Sequence, residues 1–241
     1  MLIFKERQAQ NSSGTLTISS VGKCFRAAAY RYHRFPKIPH PAIDPIKRDL
    51  IFRVGDALHE TFRDSLSNLI DREGSVSIRL QPRNIELRGR YDGLVVDPET
   101  GEIRLLEIKT MNPIAYDRWQ RTRELEEAYY YQTQLYLHAL NDRGITECVF
   151  IGIDKGSGEW QHHIYEYEPR TVRHFLAALD EAIRSNPEDA PRRYGPDEKG
   201  RLPWQCAYCD YWRHCWPEAE PQGEGGKPQL SVSGNNPERS K

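Results

Sequence analysis

Glu107-Ile108-Lys109 is the segment of this chain best suited to chemistry. On a strand, side chains alternate, so Glu107 and Lys109 would share one face while Ile108 points into a core. Asp92 stands upstream in Gly89-Arg90-Tyr91-Asp92-Gly93, and a hairpin turning at Pro98–Gly101 would bring it close to Glu107. Two neighbouring carboxylates repel unless a cation lies between them, and hard oxygen donors suit Mg2+ or Mn2+. An ion held by Asp92, Glu107 and the Ile108 carbonyl would lower the pKa of a bound water and neutralise charge developing on a phosphodiester. Lys109 would orient or help deprotonate that water, or stabilise a phosphate oxygen. Taken alone, an E-x-K triplet on an edge strand is an ordinary solvated ion pair.

Further candidates lie on two helical patterns. His59 borders an apolar stripe beside Leu58 and Phe62, one turn after Gly55. Such a histidine is ordinarily structural; as a ligand it would add nitrogen to an oxygen site and tilt selectivity toward Mn2+. Gln132 and Tyr136 are four residues apart, hence on one helix face, placed to position Lys109 and to meet a phosphate or base. The third feature is sulfur. Of five cysteines, Cys24 and Cys148 stand alone, while Cys206-x-x-Cys209-x5-Cys215 is a compact group. C-x-x-C with a third cysteine nearby signals a metal, and the count invites a four-plus-one reading in which a lone cysteine adds a fourth thiolate for either one Zn2+ or an iron–sulfur cluster. Cys148, within a strand pattern, reads as a small buried hydrophobe.

The elements that must position these residues follow from periodicity. A short helix is expected over Ser19–Tyr32, followed by a proline-punctuated connector, then an amphipathic helix from Lys47 to Ile70 with Ile51, Val54, Leu58, Phe62, Leu66 and Leu69 as its stripe. SVSIRL, NIELRGRYDGLVVD and EIRLLEIKT read as three antiparallel strands. A helix over Glu124–Asn141, strands ECVFIGID and WQHHIYEYE, and a helix TVRHFLAALDEAIRS complete a mixed α/β core. Beyond Pro217 the Gly-, Pro- and Ser-rich sequence reads as a disordered tail.

Composition sets bounds. The chain has 241 residues, 38% hydrophobic and 29% charged, with a formal charge of −1, so its overall charge advertises no polyanionic partner. Arginine and lysine clusters near Arg26, Arg118 and Arg192 read first as solvated faces. The apolar start is too short for a signal peptide, and no run is long enough for a membrane span, so an intracellular protein without membrane contact is expected.

In order along the chain, G-x-x-x-H, R-Y-D-G, E-I-K-T and Q-x-x-x-Y resemble the RecB-like branch of the PD-(D/E)XK nuclease superfamily. The resemblance implies a restriction-endonuclease-like core in which His59, Asp92 and Glu107 bind Mg2+ or Mn2+ and Lys109 is catalytic. Gln132 and Tyr136 would complete the site. The superfamily's proline before the aspartate is replaced by Tyr91. The split set Cys24, Cys206, Cys209, Cys215 resembles the iron–sulfur members, the CRISPR-associated Cas-four type and AddB among them, which implies a [4Fe–4S] cluster ahead of Zn2+. It also implies an N-terminal segment over 1–45, a nuclease core over 46–185, a cluster segment over 186–218 and a tail over 219–241. The expected activity is metal-dependent DNA cleavage, chiefly 5′→3′ exonucleolytic on single-stranded DNA. The rivals are a structure-specific endonuclease on the same site or a DNA-binding subunit of low activity. Protein partners in CRISPR adaptation or recombination, or a place in phage DNA metabolism, belong to the same expectation. No phosphate loop for a helicase motor is visible in the sequence.

Overall fold

The computed structural model describes residues 13–81, 84–224 and 227–232. In chain order these form β1 (Leu16–Thr17), α1 (Ile18–Val21), α2 (Phe25–Tyr32), α3 (Pro45–Asp64), β2 (Leu69–Arg72), β3 (Ser75–Leu80), β4 (Ile85–Arg90), β5 (Gly93–Val96) and β6 (Ile103–Met111). Then come α4 (Pro113–Thr122), α5 (Glu127–Leu140), β7 (Glu147–Asp154), β8 (Trp160–Glu166) and α6 (Pro169–Arg184). The chain closes with β9 (Arg201–Leu202), α7 (Trp204–Ala207), α8 (Trp212–Cys215), β10 (Ala219–Glu224) and β11 (Lys227–Val232). No helix among the described residues is long and apolar enough to cross a membrane.

Two compact units result, one of Leu16–Lys23 with Lys47–Asp180, the other of Met1–Thr15, Cys24–Ile46 and Glu181–Lys241. The first is a mixed α/β unit. Its main sheet runs β2-β5-β6-β7-β8, antiparallel except for the parallel pair β6–β7, and a smaller sheet runs β1-β4-β3. β6 is apolar at Leu105, Leu106, Ile108 and Met111, all buried, as a strand covered on both faces must be. Ile108 and Leu106 join Val95, Ile151 and Ile153 in a cluster onto which Phe62 and Leu66 pack. Its other face carries Glu107, which meets Gln132 of α5.

Several of the sequence expectations need correction. The stretch read as one helix over Ser19–Tyr32 breaks at Gly22, where a Cβ would lie 3.0 Å from the Ala128 carbonyl, so the backbones of α1 and α5 approach closely. The long helix ends at Asp64, and Leu69 opens a strand; of its stripe, Ile51 and Val54 are exposed, because only the Phe62 end reaches the core cluster. The single strand expected through Asp92 is two, β4 and β5, in different sheets. Periodicity assigned nothing to α4, whose start is set instead by the Asn112 side chain accepting from the Ala115 N–H, with Pro113 at the first helical position.

The second unit holds α2, β9, α7, α8, β10 and β11. Residues 219–224 and 227–232, expected in a disordered tail, pair as β10 and β11, with β9 on the other side of β11. Leu230 and Val232 alternate inward against Trp212 and Trp216, which gives this polar sequence an apolar face to bury. The expected tail beyond 232 lies outside the described residues.

Candidate active site

The break between β4 and β5 fixes Asp92. Its Oδ2 accepts the Ile108 N–H at 2.8 Å, so the carboxylate caps the edge of β6 beyond the point where β5 has ended. A strand residue's N–H and carbonyl share one edge, so the Ile108 carbonyl lies along the edge that Asp92 faces. From α3, His59 Nδ1 meets Asp92 Oδ1 at 3.2 Å, and Arg63 Nη1 approaches the same oxygen at 3.5 Å. Gly55, one turn before His59, lies beside Thr110 of β6, where a Cβ would make an ordinary contact with the hydroxyl at 3.4 Å.

On the opposite face, Glu107 is fully buried. Its Oε1 takes both the Lys109 ammonium and the Gln132 amide, the latter at 2.7 Å. Tyr136, one turn on from Gln132, donates to the Arg90 carbonyl at 2.7 Å and thereby ties α5 to the end of β4. Gly89 makes this contact possible: a Cβ there would lie 2.5 Å from the Tyr136 ring. Lys109 Nζ also sits 5.5 Å from the centre of the Tyr129 ring. His59, Asp92, Glu107, Ile108, Lys109, Gln132 and Tyr136 are therefore all in one unit, in two hydrogen-bonded sets that meet at the adjacent residues Glu107 and Ile108.

The electrostatics separate the two carboxylates. Burial raises Asp92, but the His59 hydrogen bond, the Lys109 charge and the Ile108 N–H outweigh it and hold it below the usual carboxylate range. Burial dominates at Glu107 and, with Asp92 nearby, pushes it up to about 7 despite Lys109. Burial works against the Lys109 ammonium, yet Glu107 and Asp92 together raise its pKa, so it stays a cation. Glu107 Oε2 is buried without a hydrogen-bond partner. A buried carboxylate oxygen without a donor costs free energy, and this one marks where a cation or donor would be stabilised.

Two participants escaped the sequence reading. Arg63 is a buried cation against Asp92; its spacing of four from His59 on the same helix was the available signal. Tyr129 covers Lys109.

In the second unit, Cys24 caps α2, and Cys206, Cys209 and Cys215 lie on or beside α7 and α8. Burial, then the other cysteines, pushes Cys206 up to about 12. Cys209 reaches about 12 chiefly through burial, with the same cysteine charges adding. Burial raises Cys215 too, with Arg26 and Arg192 pulling the other way. All five cysteines are free thiols, and Cys148 is buried in β7 as a small apolar residue would be. Among the described residues no three His, Cys, Asp or Glu side chains stand as a group that could hold a metal ion. Neither expected donor set is preassembled. Lys109, His59 and Arg63 hold the carboxylates, and burial, with the nearby cysteines adding, favours the protonated thiols of Cys206, Cys209 and Cys215.

Compared with solved structures, the chain resembles that of SSO0001, at 14% identity over 87% of this chain and 86% of the other, with a TM-score of 0.48. It also resembles an alkaline exonuclease, LHK-Exo from Laribacter hongkongensis, at 17% identity over 71% and 91%, with a TM-score of 0.46. The LHK-Exo complex with dAMP gives 19% identity over 70% and 90%, with a TM-score of 0.43. Likenesses this weak carry no part of the assignment. No curated protein sequence matches the chain. The sequence model of the PD-(D/E)XK nuclease superfamily, however, matches residues 9–216, and the mixed α/β unit described above agrees with a restriction-endonuclease-like core. With most of its length matched, the chain belongs to the PD-(D/E)XK nuclease superfamily.

Proposed function

We propose that the chain is a divalent-metal-dependent DNA nuclease centred on Asp92, Glu107 and Lys109, acting chiefly as an exonuclease on single-stranded DNA. The observation that carries this reading is the unpartnered, fully buried Glu107 Oε2 beside the braced Asp92 carboxylate. Hard oxygen donors of this kind fit Mg2+ or Mn2+, with Asp92, Glu107 and the Ile108 carbonyl as donors and His59 favouring Mn2+. Bound there, the ion would activate water and neutralise charge on the scissile phosphate. The chain's own residues do the rest. Lys109, kept cationic by the two carboxylates, serves as a fixed positive charge for a phosphate oxygen in preference to a base. Gln132 holds Oε1 of Glu107 so that Oε2 points free, and Tyr136 anchors the helix that delivers it. The 5′→3′ polarity rests on family resemblance.

The test is cleavage of 5′-labelled single-stranded DNA with Mn2+ or Mg2+, beside Asp92→Ala and Lys109→Ala. Loss of cleavage in both variants supports the reading, and inertness of the parent with either metal refutes it. Circular single strands separate the modes: resistance marks an exonuclease, cleavage the endonuclease reading. DNA binding without cleavage would instead indicate the low-activity subunit.

For Cys24, Cys206, Cys209 and Cys215 the proposal is a [4Fe–4S] cluster, with Zn2+ as the alternative. Four thiols in one unit, three of them packed with Trp212 and Trp216, with Arg26 and Arg192 near Cys215, suit a shielded site of negative charge. Brown anaerobic protein would support the cluster; colourless protein with stoichiometric zinc would refute it. Partners in CRISPR adaptation or recombination, and a setting in phage DNA metabolism, remain proposals of resemblance. So does the division of the chain at 45, 185 and 218.

A further inference from the structure

The turn between β2 and β3 contains none of the motif residues, yet it grips the strand break that carries Asp92. The Tyr91 N–H donates to the Gly74 carbonyl at 3.0 Å, and the Glu73 N–H to the Asp92 carbonyl at 3.4 Å. The Tyr91 hydroxyl donates to Asp71 Oδ2 at 2.7 Å. A Cβ at Gly74 would fall 1.9 Å from that hydroxyl, so no other residue type fits at 74 without displacing Tyr91. Tyrosine, unlike proline, does not fix its own φ, and these contacts supply the constraint from outside.

Glu73 is the centre of this grip. It adopts a left-handed φ of 52°, costly for a residue with a Cβ and retained only where surroundings over-determine it. Its two carboxylate oxygens take Arg63 Nη2, at 2.9 Å, and Arg90. Arg63 is buried, and its Nη1 reaches Asp92 Oδ1 at 3.5 Å while its Nε has no partner. One planar guanidinium therefore spans two carboxylates, one at the candidate centre and one on the turn behind it. A guanidinium has the fixed fork for this task, and an ammonium does not.

We infer that Arg63, backed by Glu73, is a positioning residue that fixes the Asp92 carboxylate for a divalent cation. The inference rests on the metal-dependent reading of the site. Without Arg63, Asp92 would swing on its remaining contacts and Glu73 would lose its inner partner. Outer partners of this kind set metal affinity by about 10–100-fold.

The test is direct Mn2+ binding to the full chain, read from the electron paramagnetic resonance of free Mn2+, with thermal melting in parallel. Arg63→Met is expected to weaken binding about tenfold or more, and Arg63→Lys not to restore it. Glu73→Gln should weaken it in the same direction, and the double variant should be no worse than Arg63→Met alone. Val172→Ala, a buried change elsewhere in the unit, should lower the melting temperature and leave Mn2+ affinity unchanged. Parent-like affinity in Arg63→Met and Glu73→Gln, or weakening matched by Val172→Ala, overturns the inference while leaving the metal site standing. A parent that binds no Mn2+ overturns the metal site itself. If Arg63→Met does not fold, Glu73→Gln decides.

Discussion

Gln132 donates its side-chain amide to Glu107 Oε1 at 2.7 Å, so a helix and the central strand meet at the carboxylate of the candidate centre. The bond comes from a neutral donor and leaves the charge of Glu107 for Lys109 and a metal. Gln132→Ala is expected to lower single-turnover cleavage by about 10–100-fold with little loss of melting temperature. Gln132→Glu should be worse, since it adds a third acid to a buried pair.

Glu107 also sets a pH dependence. Its folded pKa, about 7, lies above the ordinary value of 4.5, so its contribution to stability is full below 4.5 and is lost as pH rises through 7. Asp92 has the opposite sign, but its pKa is depressed, so its contribution disappears only in stronger acid. In EDTA, the stability of the parent should therefore fall relative to Glu107→Gln between about pH 5 and 8, by on the order of 2–3 kcal/mol. Urea melts across that range would show it. Parallel curves would mean that Glu107 is not perturbed. With Mn2+ the trend should reverse for the parent alone, because the ion binds the deprotonated carboxylate.

Lys109→Met should cut cleavage by about 10²–10³-fold at saturating metal if the ammonium stabilises phosphate charge. The same variant frees Glu107 Oε1 from its ion pair and should bind Mn2+ at least as tightly as the parent. Rate and affinity thus move apart, and calorimetry beside a cleavage assay distinguishes this from simple damage to the site.

Gly89 is packed against Tyr136 and Ile18, with an added Cβ at 2.5 and 2.8 Å from them. Gly89→Ala should destabilise by about 1–3 kcal/mol. Combined with Tyr136→Leu, it should cost less than the sum of the two single changes, since both disturb one contact. Thermal melts of the four proteins close the cycle, and strict additivity would contradict the packing described.

The chemistry-bearing residues were legible because their signal is local: Glu107 and Lys109 alternate on one strand, and Gln132 and Tyr136 repeat on one helix. Legible too were the helices α5 and α6, whose apolar spacing is long. What failed depended on tertiary contact. The split of the Asp92 strand is forced by the close approaches at Gly89 and Gly93, which a propensity reading sees only as weak strand residues. Helix α4 carries Asp117, Arg118, Gln120, Arg121 and Thr122 and buries only Tyr116 and Trp119, too few for a periodic signal. Arg63 has only its spacing of four from His59 to mark it in the sequence, and the fold alone shows that it is buried between two acids. The β10–β11 pairing was hidden because polar residues, Gly and Pro dominate the composition of that stretch.

β6 is bonded antiparallel to β5 on one edge and parallel to β7 on the other, in unbroken register from Leu105↔Cys148 to Met111↔Asp154. A slip of one residue would exchange the faces, sending Ile108 toward α5 and Glu107 with Lys109 into the apolar cluster. Length changes within this strand are therefore all-or-none for descendants of the gene, whereas the Pro98–Gly101 turn can gain or lose residues at little cost. Refolded chains that regain secondary structure without regaining catalysis would carry the signature of that slip, making enzymatic turnover a gauge of strand alignment.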